Sequence, residues 1–119
     1  MVKVIEKQSE TDSGILSEVG TGLIFIEAKW SGPARKMRLI AIQEAARLGI
    51  QKIIILDHDQ CYEFQKYLEV NGYGVCHGWG DFIFVRNGLI VDLAHHLEPN
   101  QAMVMNWFVE AIQGKSQSV

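Results

Sequence analysis

The sequence predicts an α/β protein with a mixed central sheet of about five strands and helices on both faces. Two apolar, β-branched runs, Gly22–Ala28 and Lys52–Leu56, are typical of buried strands, and a helical pattern separates them. Asn87-Gly88 between two further apolar runs indicates a β-hairpin. A strand–helix–strand unit that is followed by an antiparallel hairpin and a closing helix gives a mixed sheet.

Length and composition indicate one ordinary domain. The chain has 119 residues, of which 48% are hydrophobic and 21% charged. We expect a single domain over residues 1–114 and a flexible tail over 115–119. A net charge of −3 gives no basic face for nucleic acid, no apolar run could cross a membrane, and the N-terminus lacks a signal-peptide pattern. These features predict a cytoplasmic protein without nucleic-acid or membrane partners.

The first half of the chain alternates strands and helices. Val2–Glu6 alternates apolar and polar residues, as a short edge strand does, and Gly14–Val19 forms one or two helical turns. After the first buried strand, Pro33 marks the first turn of a helix, where proline is tolerated because those N–H groups lack intrahelical partners. This helix runs to about Leu48, and Gly49 follows as a left-handed C′ residue.

The second half begins with Asp57-His58-Asp59, which ends the second buried strand and is expected to cap a helix over Gln60–Val70. Val75–Asp81 is a glycine-rich connection that leads to the hairpin strands Phe82–Val85 and Leu89–Leu93.

The last helix is predicted to start at Asn100 and to end near Gln113. Its inward-facing residues by spacing are Met103, Val104, Trp107, Phe108, Ala111 and Ile112.

The turn before the Pro33 helix is the candidate functional site. Ser31 and Gly32 can supply the cap and the turn, so that free backbone N–H groups and the positive end of the helix dipole point at Ser31–Ala34. In a redox enzyme a thiolate would occupy this position.

Trp30-Ser31-Gly32-Pro33-Ala34-Arg35 resembles the W-C-G-P-C-K/R active-site turn of the thioredoxin family, with both cysteines absent. Phe84-Val85-Arg86-Asn87-Gly88 is similar to the F-x-K-N-G hairpin of the same family, and the spacing between the two motifs matches within about a residue. The resemblance covers the whole chain and implies a thioredoxin-like fold.

The departures from the family bear on function. Ser31 and Ala34 replace the two cysteines, Phe25 stands where the family has a buried aspartate, Glu27 where it has a tryptophan, and Gly80 where it has a cis-proline. Disulfide exchange needs an attacking thiolate and a second sulfur, and a serine hydroxyl stays protonated at neutral pH. Dithiol–disulfide chemistry is therefore excluded at Ser31 and Ala34.

The two remaining cysteines are the redox candidates. Cys61 shares a helical stripe with Phe64 and Leu68, which favours a buried thiol. Cys76 lies in the glycine-rich connection and is followed by His77, so it is the better candidate for a reactive thiol.

A thioredoxin-like arrangement brings three loops to one end of the sheet: Trp30–Ala34, Cys76–Asp81 and His95-His96. Cys76, His77, His95 and His96 have the donor types that bind zinc or copper, but their spacing follows no known metal pattern, and we expect no metal and no cofactor. The same surface carries aromatic residues that could bind a protein partner or simply cover the end of the sheet. The predicted binding residues are Trp30, Ser31, Gly32, Pro33, Ala34, His77, Trp79, Gly80 and His96.

The leading hypothesis is a redox-inactive thioredoxin-fold protein that serves as a scaffold, adaptor or assembly module and binds another protein around Trp30 and Trp79. One alternative is a thiol-dependent oxidoreductase or sensor that uses Cys76, with Cys61 as its partner. Another is a dithiol thioredoxin whose active-site cysteines were replaced.

Overall fold

A five-stranded mixed sheet lies at the centre of the protein, whose computed structural model describes residues 2–7, 12–95 and 100–113. Its strands are β1 (Lys3–Lys7), β2 (Gly22–Glu27), β3 (Lys52–Asp57), β4 (Trp79–Arg86) and β5 (Leu89–Ala94). The order is β1-β3-β2-β4-β5, in which β1, β3 and β2 run parallel while β4 and β5 are antiparallel to their neighbours. This sheet confirms the predicted α/β fold and the edge position of the first strand.

Helices cover both faces of the sheet. The described ranges contain α1 (Ile15–Val19), α2 (Gly32–Leu48), α3 (Tyr62–Val70) and α4 (Gln101–Gln113). Because successive strand side chains point to opposite faces, Leu23 and Phe25 of β2 belong to the core under α2 and α4, whereas Ile24 and Ile26 belong to the core under α1 and α3. The central strand β2 is therefore buried on both faces, as its continuous apolar run predicts.

The ends of α2 and the β4–β5 hairpin follow the sequence pattern. Ser31 Oγ accepts a hydrogen bond from Ala34 N at 3.2 Å, and Gly49 ends the helix with a φ of 79°. Asn87 and Gly88 have φ values of 53° and 77°, as a two-residue type I′ hairpin turn requires.

Three predicted details are wrong. Asp57-His58-Asp59 does not cap α3: the helix begins at Tyr62, and Asp57 Oδ1 instead accepts from Asp59 N at 3.0 Å, which closes the turn after β3. β4 begins at Trp79, so the end of the expected glycine-rich connection already lies in the strand. Met103 is 43% exposed because the buried stripe of α4 runs through Val104, Phe108 and Ala111 at helical spacing and leaves position 103 beside it.

None of the helices within the described ranges is long and apolar enough to cross a membrane. The predicted tail 115–119 and the candidate binding residue His96 lie outside the described residues.

Candidate functional site

The turn between β2 and α2 is tightly held. Ser31 is 3% exposed and Ala34 is fully buried, whereas Gly32 and Pro33 are exposed. Ser31 N donates to Ala28 O at 3.0 Å, and its hydroxyl accepts from Ala34 N. The Ser31 hydroxyl therefore serves as the helix cap and stabilises α2.

The segment that leads into β4 lies directly beside this turn. Ala28 N donates to Gly78 O at 2.8 Å, and a Cβ on Gly78 would lie 2.9 Å from Ala28 Cβ. His95, after β5, reaches the same segment through a contact of 3.0 Å between its Nδ1 and Asp81 Oδ1. The described parts of the three loops expected at one end of the sheet thus meet there.

Two tryptophans project from this end of the sheet. Trp30 is 63% exposed and Trp79 is 46% exposed, and each lies within two residues of the hydrogen-bonded Ala28–Gly78 pair. The exposed ring of His77 lies beside Trp79, with ring centroids 5.8 Å apart. Together with Pro33, these rings form what we call the Trp30/Trp79 surface.

Gly80 forms a β-bulge where β4 leaves the site. The pairing register shifts here, so that Ile26 faces Asp81 while Glu27 faces Trp79. Gly80 has a φ of 112°, and a Cβ on it would lie 3.0 Å from Met37 Cγ and 3.1 Å from Phe25 Cε1. The Phe25 ring therefore occupies the space that a side chain at position 80 would need. Phe25 and Gly80, two of the departures from the thioredoxin pattern, are thus compatible with each other.

Glu27, which stands where the thioredoxin family has a tryptophan, is a buried carboxylate with a cationic partner. Its Oε1 accepts from an Arg38 nitrogen at 2.9 Å, and a second Arg38 nitrogen lies 2.6 Å from Glu6 Oε1. Burial raises the pKa of Glu27, and it outweighs the lowering effect of Arg38. Arg38 thus links the ends of β1 and β2 to α2.

Both cysteines are buried, and neither forms a disulfide. Cys61 packs in the core under α1 and α3 with Phe64 and Leu68, as its helical stripe predicts. Cys76 is 5% exposed, and burial together with the nearby Asp81 carboxylate raises the pKa of its thiol. Cys76 is therefore inaccessible and its thiol resists deprotonation, whereas a reactive cysteine is an accessible thiolate.

Asp81 is the site residue that the sequence pattern did not single out. It is fully buried, and its carboxylate accepts from Gly78 N at 3.0 Å and contacts His95. Sγ of Cys76, a carboxylate oxygen of Asp81 and a ring nitrogen of His95 all lie within 4.8 Å of one another. One feature of the sequence could have identified Asp81: it lies at the edge of the apolar run Phe82–Val85, and a carboxylate that is buried in a strand needs polar partners.

Neither protein-family models nor curated proteins give a match to this chain. Several solved structures, in contrast, match this chain. Thioredoxin from Trypanosoma brucei brucei matches with a TM-score of 0.67 and 18% identity over 93% of this chain and 92% of that chain. Reduced desulfothioredoxin from Desulfovibrio vulgaris Hildenborough matches with a TM-score of 0.67 and 12% identity over 92% and 99%.

A poplar thioredoxin h matches with a TM-score of 0.62 and 17% identity over 92% of this chain and 96% of that chain. At these identities the similarity establishes architecture rather than activity. The chain has a thioredoxin-like fold, with a five-stranded mixed sheet and four helices among the described residues.

Proposed function

We propose that this chain is a redox-inactive member of the thioredoxin-fold proteins that binds another protein through the Trp30/Trp79 surface, as a scaffold, adaptor or assembly module. The observation that carries the proposal is the pair of exposed tryptophans at one end of the sheet, 63% and 46% exposed. Large aromatic side chains are enriched at the energetic centres of protein interfaces.

The chemistry of the turn supports a binding role over an exchange role. The two positions that hold sulfur in the thioredoxin motif are Ser31 and Ala34, both buried, and the serine oxygen accepts from a backbone N–H. One alternative, a thiol-dependent function of Cys76, is opposed by its burial and by the rise in the pKa of its thiol.

The charges around Trp30 favour an acidic partner segment. Arg35 and Lys36, near the start of α2, are both exposed. A segment with an apolar anchor for the tryptophans and flanking carboxylates would complement this surface in shape and charge.

Site-specific photo-crosslinking in the source cells tests the proposal. A photoreactive amino acid at position 30 or 79 should capture the same partner, whereas one at position 89 should not. Leu89 is a suitable control because it is 71% exposed and lies at the opposite end of β4, beyond the hairpin turn.

Affinity measurements with the captured partner complete the test. Trp30→Ala and Trp79→Ala should each weaken binding by at least about tenfold, because a hot-spot truncation costs about 2 kcal/mol or more. Leu89→Ala should leave the affinity unchanged. Equal affinity of all three variants would refute the Trp30/Trp79 surface as the binding site.

An insulin-reduction assay with a thioredoxin reductase tests whether the chain is redox-inactive, as proposed. We expect no turnover above background. Turnover that is present in the wild type and lost in Cys76→Ser would favour the thiol-dependent alternative instead.

A further inference from the structure

Three metal-binding side chains from two segments of the chain converge beside the Trp30/Trp79 surface. Cys76 precedes β4, Asp81 lies in β4, and His95 follows β5. Their sulfur, oxygen and nitrogen donors lie within 4.8 Å of one another. Cys76 and Asp81 are buried and the His95 side chain is 20% exposed, so the group has one side that faces solvent.

The contacts of His95 leave its Nδ1 facing the carboxylate of Asp81. Nε2 lies 2.5 Å from the carbonyl oxygen of Tyr73, which can only accept, so this nitrogen carries a hydrogen. Nδ1 of the neutral ring then directs a lone pair at Asp81 Oδ1, 3.0 Å away, which is also an acceptor. Two acceptors at this distance are compatible only when a proton or a metal ion lies between them.

The orientation of His95 is the one that metal-ligating histidines adopt. Such residues commonly donate the second ring N–H to a backbone carbonyl, which fixes the tautomer and aims the other nitrogen at the ion. The Asp81 carboxylate is likewise held by backbone N–H groups, because Gly78 N donates to Oδ2 at 3.0 Å and His77 N donates at 3.4 Å to Oδ1, the oxygen that faces His95. A Cβ on Gly74 would lie 3.0 Å from His95 Nε2, so the loop backbone also holds the ring in place.

The donor spacing suits a small tetrahedral ion. Donors bound to zinc at about 2.0–2.3 Å lie about 3.3–3.6 Å from one another. The His95–Asp81 contact of 3.0 Å is already close to this spacing, and because no two donors are more than 4.8 Å apart, a movement of about 1 Å brings all three to it. One thiolate, one imidazole and one carboxylate match zinc better than magnesium or calcium, which prefer oxygen donors alone.

The local electrostatics favour a cation. The Asp81 carboxylate is buried and lies within 4.8 Å of the Cys76 sulfur, so two groups that can carry negative charge face the same space. A divalent ion is attracted to such a pair, and on binding it displaces the thiol proton to solvent.

We propose that Cys76, Asp81 and His95 form a binding site for one zinc ion, held by Sγ, a carboxylate oxygen and Nδ1, with a fourth position open to water. The site departs from the sequence-based expectation of no metal, and it replaces two of the histidines considered there, His77 and His96, with Asp81. It is independent of the proposed protein-binding function.

Titration of the untagged, metal-free full chain with zinc tests this site by calorimetry. We expect one ion per chain. Cobalt(II) in place of zinc should give a thiolate-to-cobalt charge-transfer band in the near ultraviolet. Cys76→Ser, Asp81→Asn and His95→Ala should each raise the zinc Kd more than about 100-fold, beyond the effect of losing an outer-shell partner.

His77→Ala is the matched control, because the His77 ring lies 6.5 Å from that of His95 but is not one of the three donors. It should leave the Kd unchanged. Absence of zinc binding, a cobalt complex without a charge-transfer band, or an equal loss in His77→Ala would overturn the proposal. If Asp81→Asn does not fold, Cys76→Ser and His95→Ala, with circular dichroism as the folding check, decide the outcome.

Discussion

Replacing Gly80 with alanine should destabilise the fold, because both the backbone and the packing at this position exclude a side chain. The φ of +112° is one that L residues rarely adopt, and the new Cβ would lie 3.0 Å from Met37 Cγ and 3.1 Å from Phe25 Cε1. Phe25 cannot simply move away, since it is 1% exposed and its ring centroid lies 5.0 Å from that of Phe82.

The size of the effect follows from two contributions. An unfavourable backbone conformation costs about 1–3 kcal/mol, and overpacking of a well-filled core costs about 1–3 kcal/mol. Gly80→Ala should therefore lower the free energy of unfolding by about 2–6 kcal/mol. This is a large part of the stability of a domain of this size.

Urea denaturation followed by tryptophan fluorescence and circular dichroism measures the effect. Gly32→Ala is the matched control, because Gly32 lies in the first turn of α2 and a Cβ there would meet nothing within 4 Å. It should be neutral or stabilise the protein by up to about 1 kcal/mol.

A double-mutant cycle with Phe25→Leu separates the two contributions. The smaller side chain should relieve the part of the packing cost that comes from Phe25, but neither the contact with Met37 nor the backbone cost, so the coupling energy should be about 0.5–3 kcal/mol in favour of the double variant. A Gly80→Ala variant as stable as Gly32→Ala, or a cycle without coupling, would refute this account of the bulge.

Three further outcomes are expected. Because burial raises the pKa of Glu27, the folded state binds its proton more tightly, and the wild type should lose stability as pH rises from the ordinary glutamate pKa to neutrality. Denaturation of Glu27→Gln over the same pH range should lack this loss, and parallel curves would contradict it. Ser31→Ala removes the α2 cap and should cost about 0.5–2 kcal/mol in urea denaturation, whereas no loss would mean that the Oγ–Ala34 bond is not stabilising. Cys61 and Cys76 should react with a thiol reagent only after unfolding, and fast labelling of the native protein would show that Cys76 is accessible.

Much of the fold could be predicted because its signals are local. The Asn87-Gly88 turn, the Ser31 cap and Gly49 each require a specific residue type at a specific position, and the structure has all three as expected. Met103 illustrates the limit. Its spacing fits the apolar stripe of α4, but whether a residue at the edge of a stripe is buried depends on how the helix sits against the sheet.

The site could be predicted less completely than the fold because its polar contacts join distant parts of the chain. Cys76 lies in a glycine-rich segment that reads as an exposed loop, yet it is 5% exposed and belongs to the core under α1 and α3. Asp81 contacts His95, 14 residues away, and no local pattern links the two residues. The turn Trp30–Ala34 was recognisable only because it is continuous in sequence.

The position of Asp81 distinguishes this site from the thioredoxin pattern, and it supports the proposed ion-binding site. On the α2–α4 side, where the thioredoxin pattern implies a buried acid, Phe25 and Met37 fill the space beside Gly80. On the other side Asp81 is a buried carboxylate, and it lies beside Cys76, whose thiol pKa is raised by burial and by this carboxylate. A negative charge beside a buried thiol opposes thiolate formation but favours a bound cation. The absence of sulfur at positions 31 and 34 and the position of Asp81 therefore argue in the same direction, away from disulfide exchange and toward the proposed ion-binding site.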